Sequence, residues 1–177
     1  MLALVFDTET TGLLNNRTLP LDKQPEIIEF NSVLVDLKTG DRLSEIDELI
    51  KPIRAIPEDI TKKNNITNDM VAERPPFPHF ADLIQRTLET APLVISHNVS
   101  FDTEMVEVEY QRLQRAIRWP RVLCTVEQTV WMTGYRLSLQ DLHKQLFAEG
   151  FTGAHRAKAD VDALVKCCIE LFCRGDL

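Results

Sequence analysis

The feature that most constrains this chain is its opening: an apolar run, Leu2 to Phe6, leads directly into two carboxylates one residue apart, Asp7 and Glu9. A run so short and apolar, followed by Thr-Thr-Gly, reads as a buried strand. Side chains alternate along a strand, so Asp7 and Glu9 leave it on the same face. They fall at its C-terminal end, where ligands gather in α/β sheets. Two neighbouring carboxylates repel, and each resists ionisation unless a cation intervenes. Hard divalent ions with oxygen ligands are the natural partner. An acidic turn at a strand end would show the same local pattern, so the functional reading depends on other acids joining the pair.

The downstream organisation shows how they could. Ile27 to Asp36 and Arg42 to Lys51 are predicted strands, joined through Lys38-Thr39-Gly40 as a hairpin. Between the first two strands, Leu14 to Pro25 is polar, holds two prolines and has no periodicity, which predicts a surface loop. After Pro57 the pattern turns helical. Phe80, Leu83, Ile84 and Leu88 share one helical stripe, and Met105, Val106, Tyr110 and Leu113 share another. Leu93 to Ser96 and Val122 to Thr125 are two more predicted strands. Ser138 with Asp141 forms a capping-box pattern ahead of Leu139, Leu142 and Leu146. A last helix begins near Ala157 and carries Val161, Leu164, Val165, Cys168 and Leu171. Three successive strands followed by strands alternating with helices predict an α/β fold with a mixed five-stranded sheet flanked by helices.

Two further acids stand out. Asp102 lies in Ser-His-Asn-Val-Ser-Phe-Asp, after a strand and at the start of a helix. There it either faces the helix dipole or reaches the carboxylates at Asp7. Asp160 shares the stripe of Leu164, Cys167 and Leu171, which should face the sheet. A carboxylate on a core face is costly unless paired or metal-bound. His155, just before that helix and after Gly150 and Gly153, is a candidate general base.

Composition narrows the class. A net charge of −7 argues against a broad nucleic-acid-coating surface. It suits an enzyme that holds a few nucleotides while metals neutralise the phosphate. Cys124, Cys167, Cys168 and Cys173 make no Cys-x-x-Cys pair, so they read as small hydrophobes rather than a zinc site. No apolar run approaches a membrane span, and the N-terminus lacks the features of a signal peptide. A single domain over residues 1–177 in the cytoplasm is expected.

Together, Asp7-x-Glu9, Asp102 behind His97-Asn98, and His155 followed by Asp160 resemble the DEDDh branch of the DnaQ-like 3′–5′ exonuclease superfamily. The likeness continues through Ile66-Thr67-Asn68-Asp69-Met70-Val71 and Pro75-Pro76-Phe77, and is greatest to the proofreading, DNA polymerase III epsilon-type members. The resemblance implies a ribonuclease H-like fold with sheet order 3-2-1-4-5 and strand 2 antiparallel. It implies two divalent ions, Mg2+ with Mn2+ as substitute. Asp7 would bridge them, Glu9 and Asp160 would complete the first, Asp102 would support the cluster, and His155 would deprotonate the attacking water. Thr10, Thr11, Gly12 and Leu13 would lie against the terminal nucleotide, with His97, Asn98 and Phe101 as further substrate-side residues. The implied reaction releases nucleoside 5′-monophosphates from a nucleic acid with a free 3′ end, single-stranded DNA first, in possible company with a polymerase or processing complex.

An RNA-trimming enzyme of the same superfamily and a mainly structural subunit of a nucleic-acid-processing complex are the competing readings. The longer polar loop before Glu26 departs from the family pattern, as do the residues after the glutamate in Glu29-Phe30-Asn31, where relatives usually carry smaller apolar ones. Arg156 and Lys158 are candidate phosphate contacts or solvated surface. His79 and His143 are expected at the surface, His97 in a structural role, and Trp119 and Trp131 in core or partly buried packing. Gln145-Leu146-Phe147 faintly resembles a sliding-clamp peptide, but its helical setting argues against that.

Overall fold

The computed structural model describes residues 1–14 and 17–177. Asn15 and Asn16, within the loop expected before Pro25, lie outside the described residues; the remainder of that loop carries a 3₁₀ turn at Leu21–Lys23.

Five strands form one sheet: β1 (Leu2–Thr10), β2 (Ile27–Asp36), β3 (Arg42–Leu49), β4 (Leu93–Ser96) and β5 (Arg121–Cys124), in the order β3-β2-β1-β4-β5. β2 pairs antiparallel with both β1 and β3, whereas β4 lies parallel to β1 and to β5. This is the expected topology. The hairpin turn works because Gly40 takes φ +79° and its N–H returns to the Asp36 carbonyl at 2.8 Å.

Seven helices complete the described chain: α1 (Glu58–Asn64), α2 (Asn68–Val71), α3 (Phe77–Thr90), α4 (Val99–Arg112), α5 (Thr125–Thr129), α6 (Leu139–Phe147) and α7 (Ala157–Arg174). None is long and apolar enough to cross a membrane.

The period-2 rule divides β1 between two cores. Leu4 and Phe6 join Phe80, Ile84, Leu88, Met105, Val106 and Tyr110 of α3 and α4 on one face. Ala3 and Val5 join Val161, Leu164, Val165 and Cys168 of α7 on the other. Full burial of such side chains contributes about 1.5–3 kcal/mol each, so α7 is pressed firmly against β1 and β2. That docking determines where Asp160 sits.

Several placements differ from expectation. His143 is 4 % exposed rather than at the surface, because its ring packs beside Phe147 and Phe151 and Nδ1 meets the Glu149 carbonyl at 2.7 Å. Trp131 is 64 % exposed, in a 3₁₀ turn spanning Val130–Met132. Trp119 is packed as expected, stacking on Phe6 with ring centres 5.9 Å apart. His79 is exposed, Cys167 and Cys168 are buried, but Cys173 is exposed and Cys124 half-buried. The clamp-like Gln145-Leu146-Phe147 lies inside α6 with Leu146 in the core.

One cap is strained. Helix α6 ends on Ala148 at φ +62°, a left-handed conformation that disfavours any residue with a Cβ. Ala148 is exposed and has no packing role to lose. Ala148→Gly should therefore stabilise the protein by ~0.5–1 kcal/mol. A urea-unfolding midpoint that stays put or falls would show that the cap carries no strain.

Candidate active site

The C-terminal half of β1 holds the first two acids. Asp7 and Glu9 share the face of Ala3 and Val5 and so point toward α7, as alternation requires. A register shift between Glu9 and Thr10 ends the regular pairing with β2, and such bulges re-aim side chains at the ends of ladders.

Asp102 approaches from the opposite face, on the first turn of α4, and is 2 % exposed. One of its oxygens accepts from the Thr8 N–H at 3.0 Å and the Thr8 hydroxyl at 2.8 Å, and the other from the Ser96 hydroxyl at 2.6 Å. Thr8 is the residue between Asp7 and Glu9, so Asp102 is tied to the strand end at the midpoint of the acid pair. Burial pushes the Asp102 carboxyl up to about 6 against the pull of the Ser96 and Thr8 hydrogen bonds.

Asp160 and His155 come from the start of α7. The Asp160 Oδ2 accepts the His155 N–H at 2.9 Å, so one carboxylate oxygen fixes the turn that leads into the helix. His155 sits at φ +67°, a left-handed conformation for a residue with a full side chain. Its ring nitrogen and carboxylate oxygens of Glu9 and Asp160 all lie within 4.8 Å of one another.

The acids strain against each other electrostatically. Burial raises the Asp7 carboxyl well above its ordinary range, and the charges of Asp102, Asp160, Glu9 and Glu29 raise it further. Burial lifts Glu9 to about 7, partly offset by the Asn64 side-chain amide at 3.3 Å. Burial likewise lifts Asp160 to about 6, against the His155 N–H. His155 is lowered from its usual value, by burial first and then by the Lys63 charge.

These side chains line a cavity of about 360 Å³, which also takes in Thr10, Gly12, Leu13, His97, Asn98 and Phe101. Every candidate site residue therefore converges except Thr11. Thr11 faces away: its hydroxyl accepts the Glu26 N–H at 2.9 Å and its own N–H donates to the Glu26 carbonyl at 2.8 Å. It holds the turn beneath the site. Leu13 is 60 % exposed at the cavity rim. His97 is braced structurally, as expected, with Nδ1 3.0 Å from the Thr125 hydroxyl and Nε2 3.1 Å from the Leu137 carbonyl. A carbonyl only accepts, so Nε2 carries the hydrogen. Burial pushes His97 down to about 4, leaving a neutral ring with no proton to exchange near neutral pH.

Helix α1 adds cavity residues that pattern reading missed: Ile60, Lys63 and Asn64. Asn64 is 1 % exposed and spans two jobs, donating to Glu9 and accepting the Ile66 N–H at 3.0 Å. Lys63 is the cavity's only lysine or arginine, and it makes no ion pair among the described residues. The only sequence signal was a polar Lys-Lys-Asn-Asn run, which is indistinguishable from a solvated helix face. The earlier phosphate candidates are engaged elsewhere: Arg156 pairs with Glu29 and Lys158 with Glu45.

The donor set suits a hard divalent cation. Several oxygen donors converge with their ionisation suppressed, and positive charge placed among them would relieve both burial and repulsion.

With that geometry in place, the comparisons with known proteins are informative. The RNase_T model, described as "Exonuclease", matches residues 4–168. The DNA polymerase III subunit epsilon of Treponema pallidum is 33 % identical over 171 residues, covering 94 % of this chain and 73 % of that protein. Its counterpart in Buchnera aphidicola is 30 % identical, covering 72 % of this chain and 53 % of the relative. The PolC-type DNA polymerase III of Staphylococcus haemolyticus is 28 % identical, and the match spans 11 % of its length. Among solved structures, the nuclease domain of 3′hExo, a DEDDh family member bound to rAMP, superposes with TM-score 0.79 at 15 % identity, covering 98 % of this chain and 92 % of that one. Exonuclease X in complex with 5′ overhanging duplex DNA superposes with TM-score 0.64 at 23 % identity, covering 98 % and 93 %. At those identities the structures establish the shared ribonuclease H-like fold. The family match and the epsilon relatives establish more: this chain belongs to the RNase_T exonuclease family, in its DnaQ-like DEDDh branch, and is a 3′–5′ exonuclease of the epsilon type.

Proposed function

We propose that residues 1–177 act as a single cytoplasmic exonuclease domain that removes nucleotides from DNA 3′ ends, using Asp7, Glu9, Asp102 and Asp160 to hold two divalent ions and His155 as general base. The observation that carries this reading is the convergence of four acids and one histidine on a single cavity at the end of β1. DNA is favoured because the relatives are named as DNA polymerase III subunits. The same names support a place beside a replicative polymerase.

Each residue's part follows from its setting. Asp7, half-buried and least able to ionise alone, is the acid most in need of a cation and would be a ligand to it. Glu9 and Asp160 flank it. Asp102 has both oxygens committed to Thr8 and Ser96, so it supports the cluster from behind. When bound, divalent ions supply charge neutralisation and polarisation of the scissile phosphate. His155, at the exposed rim with its affinity for protons lowered, is neutral near pH 7 and ready to accept one from water. Lys63 supplies the one unpaired positive side chain where a phosphate must enter among acids. Leu13 and Phe101 offer apolar surface to the terminal nucleotide, and Thr10, whose hydroxyl donates to the Gly12 carbonyl at 2.7 Å, shapes the loop that presents Leu13.

Labelled oligonucleotides provide the direct test. With magnesium or manganese, single-stranded DNA bearing a free 3′ hydroxyl should shorten stepwise to mononucleotides, and a mispaired primer terminus should be removed faster than a paired one. Chelator should abolish the reaction. Faster digestion of RNA would reassign the substrate, and efficient cutting of a closed single-stranded circle would refute the polarity.

Two substitutions separate ligand from base. Asp7→Asn should nearly eliminate turnover and weaken the rise in melting temperature that magnesium produces. His155→Ala should slow the single-turnover rate by about 10²–10⁴-fold, less at high pH where hydroxide replaces the base, while magnesium still stabilises the protein. Loss of magnesium stabilisation in His155→Ala, with retention in Asp7→Asn, would reverse the assignment.

The metal-free protein should also lose stability as pH rises from 6.5 through about 7. Glu9, raised to about 7, and Asp7, also raised well above its ordinary range, favour folding while protonated and oppose it once ionised. His97 and His155 have lowered values, so their contributions change below about pH 6.5 and leave this window to the acids. The melting temperature should fall by on the order of 5 °C across it. Asp7→Asn should flatten the decline; a flat wild-type profile in chelator would mean that the acid cluster is not strained.

A further inference from the structure

A fifth carboxylate, this one buried, stands beside the four already described, and the reaction scheme gives it no work. Glu29 in β2 is 1 % exposed and lies directly across the ladder from Glu9. Its charge raises Asp7 and Glu9 further, so its presence makes the acid cluster harder to ionise. A buried ion pair is generally no more stabilising than apolar side chains of similar volume. Stability alone therefore gives no reason for an acid here.

Its contacts do. Glu29 Oε1 accepts from Arg156 Nε at 3.1 Å and from an Arg156 terminal nitrogen at 2.6 Å. Oε2 accepts from Arg156 Nε at 3.2 Å and from the Ala157 N–H at 2.8 Å. Arg156 is the N-cap of α7 and makes no side-chain cap bond of its own. Glu29 thus caps α7 from another strand and grips its first residues through a forked guanidinium pair, the most directional ion pair available.

The residue immediately before this grip is His155, held in its left-handed conformation. That conformation costs about 1–2 kcal/mol for a residue with a Cβ. The stretch leading to it, 148–156, has no helix or strand. On one side, the His155 N–H bond to Asp160 opposes relaxation, with the loop tied further back where Phe151 bonds Gln140 and packs on His143. On the other, the Glu29–Arg156 pair does. Asp160 depends on the grip less, because α7 is docked through Val161, Leu164 and Val165.

We infer that Glu29 is a positioning residue that acts through Arg156 to keep His155 in its strained, rim-facing conformation. The inference rests on the proposed role of His155. The pair is a clamp on the base, and removing it lets residues 154–156 relax while the acids stay in place on β1, α4 and α7, with the repulsion from the Glu29 charge removed.

The test uses Glu29→Gln, which keeps size and shape, with Arg156→Lys and Arg156→Ala as partners should Glu29→Gln fold poorly. Glu29→Gln should lower kcat by about 10–100-fold with KM within about twofold, and the loss should shrink as pH rises. Arg156→Lys, which keeps one charged contact, should recover part of the activity that Arg156→Ala loses. Two readouts distinguish positioning from folding. Magnesium should still raise the melting temperature of Glu29→Gln as it does in the wild type. In a His155→Ala background, Glu29→Gln should cost no more than about threefold, because the base it positions is gone. Independent, multiplying losses, a magnesium effect that disappears with Glu29, or a melting temperature that falls with kcat unchanged would each overturn the clamp. If His155→Ala alone costs nothing, the role of His155 is at fault instead.

Discussion

Everything around the site answers one problem: carboxylates that repel one another are gathered where water cannot fully screen them. Asp7 is half-buried, and its neighbours Glu9, Asp102 and Asp160 all share its reluctance to ionise. Left to itself, such a cluster would spread apart. The fold prevents this by placing each acid on an element whose position is set elsewhere, by apolar burial. β1 is pinned between β2 and β4, α4 by Met105, Val106 and Tyr110, and α7 by Val161, Leu164 and Val165. Hydrophobic packing therefore supplies the free energy that holds like charges together, and a bound cation would relieve that repulsion.

The strand alternation is what makes the arrangement compact. Successive residues of β1 serve opposite helices: Asp7 and Glu9 face α7 and its Asp160, while Thr8 between them reaches Asp102 on α4. A helix could not place two acids and an oriented hydroxyl so closely on two sides of one backbone segment. The same alternation on β2 puts Glu29 on the α7 side, in line with Val33 and Val35. A strand face that is hydrophobic at one end thus becomes an anchor for helix α7 at the other.

Much of this was legible in the sequence because it depends on period and local chemistry. β2 and β4 match their expected limits to the residue, and α7 begins at Ala157 as its stripe required. The Ser138 cap is present, accepting the Asp141 N–H at 3.1 Å. The five motif residues converge because motif spacing encodes strand-end and helix-start positions. What pattern could not show was how side chains meet across elements. His143 is buried because Phe151, beyond the end of its helix, folds back over it. Thr11 turns away because Glu26, far along the chain, captures it on both sides. Lys63 and Asn64 reach the cavity only because α1 folds over the end of β1, and the contacts of Glu29 are visible only once Arg156 is placed beside it.

The acidic balance of the chain, −7 overall, then becomes intelligible. A polyanionic substrate meets repulsion at the surface and again at four carboxylates, with Lys63 as the cavity's only lysine or arginine. Arg156 and Lys158, which could have offset this, are committed to Glu29 and Glu45. On the proposed reading, attraction for phosphate would come from cations held by the acids, so that binding and chemistry would share one charge source. A broad basic track would retain the substrate irrespective of its end. Concentrating the attraction in a cavity of about 360 Å³ would instead confine it to the few nucleotides at the site.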